Sequence, residues 1–138
     1  MGSSLGLALR RVSGIKVTAF ARRPETRADA LRRLVADAVA ETPIAAVHEA
    51  DVVVVCTPIL SIIDLVREFA PALKTGAVVT DVGSTKLGIA CALSPVFAGR
   101  PEVFIGSHPM AGSEKAGLEA GRADLYDAAT VAVTPLED

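Results

Sequence analysis

The protein has 138 residues, of which 51% are hydrophobic and only 4% aromatic, so we expect one domain with a core of Ala, Val, Leu and Ile. A formal net charge of −2 gives no electrostatic basis for binding nucleic acid or an anionic membrane. The longest apolar runs, such as Val52–Cys56, are far shorter than the ~20 residues of a membrane-spanning helix. The first residues lack the basic start and apolar stretch of a signal peptide. These features predict a cytoplasmic domain that binds neither nucleic acid nor membrane.

Cys56 and Cys91 lie inside apolar segments and lack the spacing of metal ligands, so no metal site is expected. Two buried, reduced thiols are the favoured interpretation, with a disulfide as the alternative.

Hydrophobic periodicity predicts strands that alternate with helices. The predicted strands are Ile15–Phe20, a short one near Val39, Val52–Cys56, Ala77–Thr80, Val103–Ile105 and Thr130–Val133. The predicted helices are Ser3–Val12, Pro24 to about Asp37 (burying Leu31, Leu34 and Val35), one turn before Val47, Ile59–Leu73 and Lys86–Phe97. This alternation is typical of a doubly wound parallel α/β sheet.

Two polar loops follow predicted strands, at Thr80–Lys86 and Gly106–Gly117. In an open α/β sheet, ligands bind outside the carboxyl ends of the strands. The side chains of these loops are therefore the candidate functional groups.

The chain opens on a helix, whereas a dinucleotide-binding fold normally opens with a strand and a glycine-rich turn. In such a fold, Gly2 would be the third glycine of G-x-G-x-x-G, with the first two glycines and the first strand outside the chain.

Four motifs, which occur in this order along the chain, resemble the motifs of a known protein family. They are Met1-Gly2-Ser3-Ser4-Leu5, Cys56-Thr57-Pro58, Thr80-Asp81-Val82-Gly83-Ser84-Thr85-Lys86 and Gly106-Ser107-His108-Pro109-Met110-Ala111-Gly112-Ser113-Glu114. Together they resemble the nucleotide-binding half of the prephenate/arogenate dehydrogenase family of tyrosine biosynthesis, from Met1 to Pro135. The resemblance implies that residues 1–138 are a Rossmann-like dinucleotide-binding domain. It also implies that the first strand and a helical C-terminal domain, which supplies dimerisation and part of the substrate pocket, lie outside the chain.

The absent first strand has a predicted physical cost. That strand lies at the centre of the usual sheet, next to Ile15–Phe20, and each buried unpaired amide costs about 1–3 kcal/mol. We therefore expect that the 138 residues alone do not form a stable, active monomer, and that the full-length enzyme is a homodimer.

The expected cofactor is NADP, with NAD as a possibility. Ala21 stands where a fold that binds NAD usually has an acid, and Arg22 and Arg23 follow it. Two guanidiniums there could bind a 2′-phosphate, which is the favoured interpretation; two solvated arginines at the start of a helix are the alternative. The resemblance places Gly2, Ser3 and Gly83 against the cofactor and Cys56-Thr57-Pro58 along the nicotinamide ribose, whereas a plain Thr-Pro turn is the simpler alternative.

The reaction of the family is oxidative decarboxylation, and it needs a proton acceptor for the ring hydroxyl. His48 and His108 are the two histidines, and histidine has an unperturbed pKa of ~6.5. His48 has no chemically useful neighbours and is expected at the surface, so the motif favours His108 as the base. By resemblance, Ser84 bridges substrate, imidazole and nicotinamide, although it or Thr85 could also cap the following helix.

Ser113 and Glu114 are expected, by resemblance, to line the substrate pocket with Ser84 and His108. The predicted function is NADP-preferring oxidation of prephenate, a small-molecule substrate, or of arogenate; the sequence does not separate the two. Two alternatives stay open: another 3-hydroxyacid or imine dehydrogenase of the same fold, and an inactive fragment that acts only as a binding module.

Overall fold

Six strands and five α-helices alternate along the chain in the computed structural model, which describes residues 1–112 and 117–135. The α-helices are α1 (Gly2–Leu9), α2 (Pro24–Arg32), α3 (Pro43–Val47), α4 (Ile59–Phe69) and α5 (Leu87–Phe97). The strands are β1 (Thr18–Phe20), β2 (Ala38–Ala40), β3 (Val52–Val55), β4 (Val78–Asp81), β5 (Val103–Pro109) and β6 (Val131–Pro135). Short 3-10 turns follow α4 and precede Gly121. The predicted α/β alternation is confirmed.

The residues divide into two units, the first of which comprises Met1–Ala46 and Pro109–Thr130. Its sheet is the parallel pair of β1 and β2, with Thr18 opposite Ala38. Helix α1 passes so close to the segment after α2 that a Cβ on Gly6 would lie 2.1 Å from the carbonyl oxygen of Val35. Only glycine fits at this crossing.

Helix α2 ends earlier than predicted, because Leu34 adopts a left-handed conformation with φ of 55°. The amide of Val35 donates to the carbonyl of Ala30 at 2.8 Å and that of Leu34 to Leu31 at 3.0 Å. This is the Schellman arrangement, which usually has glycine at the left-handed position. The prediction that Leu31 and Leu34 are buried is wrong, since they are 40% and 59% exposed, whereas Val35 is buried as predicted.

The second unit comprises Val47–His108 and Val131–Asp138 and contains a four-stranded sheet in the order β3-β4-β5-β6. The pairs β3–β4 and β4–β5 are parallel, as predicted. Helices α4 and α5 bury one apolar side each, through Ile62, Val66, Phe69, Ile89 and Leu93, while Val79 and Phe104 contribute from the sheet. This core fixes the strands whose carboxyl ends carry the candidate site.

Strands β5 and β6 differ from their predicted bounds. Strand β5 continues four residues past Ile105, to Pro109. The amide of Met110 donates to the carbonyl of Thr130 at 2.7 Å, and a Cβ on Gly106 would lie 3.3 Å from the carbonyl oxygen of Thr134. Because these contacts run in opposite directions along the chain, β6 lies antiparallel to β5 at the edge of the sheet.

Charged pairs occupy the amino ends of the strands in the second unit. Arg100 Nε lies 2.8 Å from Glu102 Oε2, and Arg100 Nη2 donates to the carbonyl of Ala70 at 2.8 Å. Lys74 and Asp51 form a more exposed pair at 2.5 Å. These contacts tie the end of α4 to the start of β5, and the segments that precede β3 and β4 to each other.

Cys91 is exposed on α5, which corrects the prediction of two buried thiols. Burial raises the pKa of the Cys56 thiol to about 11, so Cys56 stays protonated near neutral pH, as expected of a small core residue. Within residues 1–112 and 117–135, no helix is long and apolar enough to cross a membrane.

Candidate functional site

The loop that follows β4 is organised around Asp81, whose side chain is fully buried. Asp81 Oδ2 accepts a hydrogen bond from the Gly83 amide at 2.9 Å. A Cβ on Gly83 would lie 2.9 Å from the same oxygen and 3.3 Å from Ile62 Cδ1, so a side chain has no room there. The loop is therefore held in a single tight path over the start of α4.

Lys86 neutralises the buried carboxylate. Its Nζ lies 2.5 Å from Asp81 Oδ2 and donates to the carbonyl of Ser107 at 2.7 Å. Lys86 is also the N-cap residue of α5 and makes no side-chain cap bond. A cation is unfavourable at that end of a helix dipole, and the contact with Asp81 compensates it.

Ser84 and His108, the predicted catalytic residues, both belong to the second unit. Ser84 is exposed in the loop between Asp81 and Lys86, and His108 is half-buried near the carboxyl end of β5. Since Lys86 rather than Ser84 or Thr85 occupies the N-cap position, the alternative role of Ser84 as a helix cap finds no support.

Cys56, Thr57 and Pro58 follow β3 beside the Asp81 loop. The register sets Val55 opposite Asp81, and the amide of Val82 donates to the carbonyl of Val55 at 3.3 Å. Thr57 Oγ1 is buried and, among the residues that the structure describes, has no hydrogen-bond partner. A buried hydroxyl without a partner is costly, and the ribose hydroxyl or amide of a nicotinamide nucleotide could satisfy it. The donor set at this point therefore fits such a cofactor.

Gly2 and Ser3 begin α1 in the first unit. The N-cap residue Met1 makes no side-chain cap bond, and the first turn of the helix contains no acid. The partial positive charge of a helix N-terminus favours an anion such as a diphosphate. Ser3 is buried, and a Cβ on Gly121 would lie 2.7 Å from its Oγ, so its hydroxyl faces the chain near Gly121.

Arg22 and Arg23 follow β1 in the first unit, and both are exposed. Arg23 Nε lies 3.6 Å from Glu25 Oε1, a loose pair in which both side chains are about 70% exposed. Sequence reasoning missed Arg27, whose Nη1 donates to the carbonyls of Ala21 at 2.7 Å and Arg22 at 3.3 Å. This guanidinium fixes the backbone that carries the two arginines, and a basic residue one turn inside α2 was the signal for it.

Ser113 and Glu114 lie outside the described residues. His48 is exposed and its Nδ1 lies 2.8 Å from Glu49 Oε1, so the prediction of a surface histidine is confirmed. Among the described residues, no group of three His, Cys, Asp or Glu side chains could hold a metal ion.

Comparison with known proteins identifies relatives along almost the whole chain. The family model described as prephenate dehydrogenase, nucleotide-binding domain, matches residues 5–138. A prephenate dehydrogenase of Lactococcus lactis is 33% identical over 97% of this chain, and one of Bacillus subtilis is 32% identical over 98%. The chain covers 38% and 37% of the lengths of these two relatives.

Solved structures of dehydrogenases with the same names or related ones also match this chain. The arogenate dehydrogenase of Synechocystis superposes with a TM-score of 0.89 and 32% identity, over 99% of this chain and 47% of that protein. The prephenate dehydrogenase of Aquifex aeolicus, in complex with hydroxyphenyl propionate and NAD⁺, superposes with a TM-score of 0.87 and 30% identity, over 100% of this chain and 49% of that protein. The predicted Rossmann-like fold is confirmed.

Proposed function

This chain belongs to the family of prephenate dehydrogenase nucleotide-binding domains, and we propose on that premise that it is the cofactor-binding part of an enzyme of tyrosine biosynthesis. The proposed reaction is the oxidative decarboxylation of prephenate or the oxidation of arogenate. Relatives with both names match almost the entire chain, which supports this reaction class.

One observation carries the proposal. The loop with Ser84 and the strand with His108 are joined by the hydrogen-bonded cluster of the buried Asp81 with Lys86 and Ser107 in the second unit. A hydroxyl and an imidazole are thereby attached to segments that one hydrogen-bonded cluster joins. His108 is proposed to accept the proton of the ring hydroxyl, and Ser84 to orient that hydroxyl through its own donor and acceptor.

The bound nicotinamide cofactor would supply the hydride acceptor, and the chain's own residues would hold it. Thr57 would offer its hydroxyl, which has no partner among the described residues, and Cys56, Pro58 and Gly83 would lie along the cofactor. The start of α1 at Gly2 and Ser3 would offer backbone amides. NADP is the proposed preference, because Ala21 replaces the ribose-binding acid and the exposed guanidiniums of Arg22 and Arg23 follow it. The Aquifex relative binds NAD⁺, so NAD is the competitor to be tested.

Ser113 and Glu114 are proposed to line the substrate pocket. We further propose a cytoplasmic homodimer for the full-length enzyme.

The test is an assay of the full-length protein with prephenate and arogenate, each in the presence of NAD⁺ and NADP⁺. We expect reduced cofactor to form with at least one of the two substrates, and kcat/KM to be higher with NADP⁺. Release of carbon dioxide in proportion to reduced cofactor would establish the decarboxylation. An enzyme that reduces neither cofactor with either substrate would refute the proposed reaction.

A further inference from the structure

Strands β4 and β5 separate before they end. Their paired residues are Val78 with Val103 and Val79 with Phe104, whereas β4 continues to Asp81 and β5 to Pro109. The relative position of the two carboxyl ends therefore depends on side chains rather than on a backbone ladder.

Side-chain hydrogen bonds span this separation. The Ser107 hydroxyl donates to the carbonyl of Asp81 at 2.7 Å and accepts from Thr80 Oγ1 at 3.1 Å. Asp81 Oδ1 accepts weakly from the Ser107 amide at 3.4 Å. Lys86 reaches both strands, through Asp81 Oδ2 at 2.5 Å and the Ser107 carbonyl at 2.7 Å.

The ammonium of Lys86 is directed into this junction, since its side chain is only 17% exposed and the carboxylate that it meets is fully buried. Two of its three N–H donors are used by these inward contacts. Lys86 stands two residues after Ser84, and Ser107 stands one residue before His108. The cation therefore couples the loop of one proposed catalytic residue to the strand of the other.

We propose that Lys86 is a positioning residue, which, through Asp81 and Ser107, sets the placement of Ser84 relative to His108. The inference rests on the function proposed above. Misplacement of reacting groups by about 1 Å can cost about 10² in rate, so the coupling acts on kcat. Substrate and cofactor affinity should change little, because the Lys86 ammonium is directed inward, to Asp81 Oδ2 and the Ser107 carbonyl.

The test uses Lys86→Met in the full-length protein. This change leaves the buried Asp81 carboxylate without its cation, which is destabilising. The double variant Asp81→Asn/Lys86→Met is therefore made alongside, because it removes both charges and keeps an oxygen that can accept from the Gly83 amide. The control is Lys74→Met, which removes a lysine paired to Asp51 at the same distance, 2.5 Å, at the amino ends of the strands.

We expect kcat to fall by about 10- to 100-fold in whichever Lys86 variants remain folded, with KM and the cofactor Kd within about threefold of wild type. With substrate that is deuterated at the ring carbon that gives up the hydride, the primary isotope effect on kcat should rise, because hydride transfer then limits the rate more strongly. A smaller active fraction would lower kcat and leave the isotope effect unchanged. The Lys74→Met enzyme should match wild type in all of these.

Several results would overturn the inference. One is an unchanged kcat, and another an unchanged isotope effect, in a folded Lys86 variant. A third is a raised KM at constant kcat, because that result would make Lys86 a substrate ligand. Failure of both Lys86 variants to fold would show a purely structural role. A wild-type enzyme without activity on either substrate would instead refute the proposed function, and this inference with it.

Discussion

The carbonyl oxygen of Val35 lies 2.1 Å from the point where Gly6 would carry a Cβ, and Val35 Cγ1 lies 2.8 Å from that point. The obstacle is backbone, which cannot rotate away as a flexible side chain could. Gly6→Ala should therefore lower the free energy of unfolding by roughly 1–3 kcal/mol, the usual cost of overpacking. Denaturant unfolding of the full-length protein measures it.

Gly88→Ala is the matched control, since α5 leaves open space around Gly88. Alanine is the better helix former by about 0.5–1 kcal/mol, so this change should stabilise the protein or leave it unchanged. Equal effects of the two substitutions would contradict the close approach of α1.

Replacement of His108 by Asn should lower kcat by roughly 10²–10⁴, the usual contribution of a general base. Ser84→Ala should also lower kcat, because the hydroxyl would no longer orient the substrate. His48→Asn serves as the control, because His48 is exposed and lies against the exposed Glu49. Steady-state kinetics with saturating cofactor would decide, and a His108→Asn enzyme as fast as wild type would exclude the proposed base.

Substitution of Arg22 and Arg23 by Ala should lower kcat/KM for NADP⁺ by about tenfold or more, because each charge-assisted hydrogen bond to a phosphate contributes about 1.5–3 kcal/mol. The value of kcat/KM for NAD⁺ should fall far less, because NAD⁺ has no 2′-phosphate. Arg32→Ala is the control, an exposed arginine of α2 paired with Asp29. A parallel loss for both cofactors would argue against recognition of a 2′-phosphate.

Asp37 makes stability depend on pH. Its Oδ2 accepts from the Val17 amide at 2.8 Å, and this hydrogen bond, helped by Arg10, lowers the pKa of the carboxyl below its usual value. The unfolded state therefore takes up the proton first as the pH falls. The stabilisation is complete above about pH 5, declines as the unfolded state takes up its proton, and is lost as the pH drops through the lowered pKa of the folded state.

Asp37→Asn should flatten the decline of unfolding free energy between about pH 5 and pH 3. Asp64→Asn, at an exposed position of α4, should leave that slope close to wild type. Urea titrations at several pH values would measure it, and identical slopes for wild type and Asp37→Asn would contradict the assignment.

The strands and helices that depend on the hydrophobic pattern of neighbouring residues could be predicted from the sequence. The valine run specified β3, and apolar spacing specified α4, because both depend on neighbours in sequence. The end of α2 could not be predicted, since Leu34 takes a left-handed conformation that glycine normally occupies. Nor could the role of Lys86, because its contact with Ser107 joins residues 21 apart and depends on the folded sheet.

The roles predicted for the site residues stay predictions. The motif residues Ser84 and His108 were identified from a resemblance, and the structure adds the cluster between them. The expectation that the 138 residues alone form no stable, active monomer stays a prediction.

The ion pairs Arg100–Glu102 and Lys74–Asp51 lie at the amino ends of the strands, while the Lys86–Asp81 pair lies at the carboxyl ends. One end of the sheet can therefore be altered without touching the groups proposed for chemistry. Substitutions around Arg100 would change the free energy of unfolding without a direct effect on the proposed catalytic residues. Directed evolution for thermal stability should therefore target this end of the sheet. Selection for a new substrate would act at the opposite end, where the buried Asp81 pairs with Lys86.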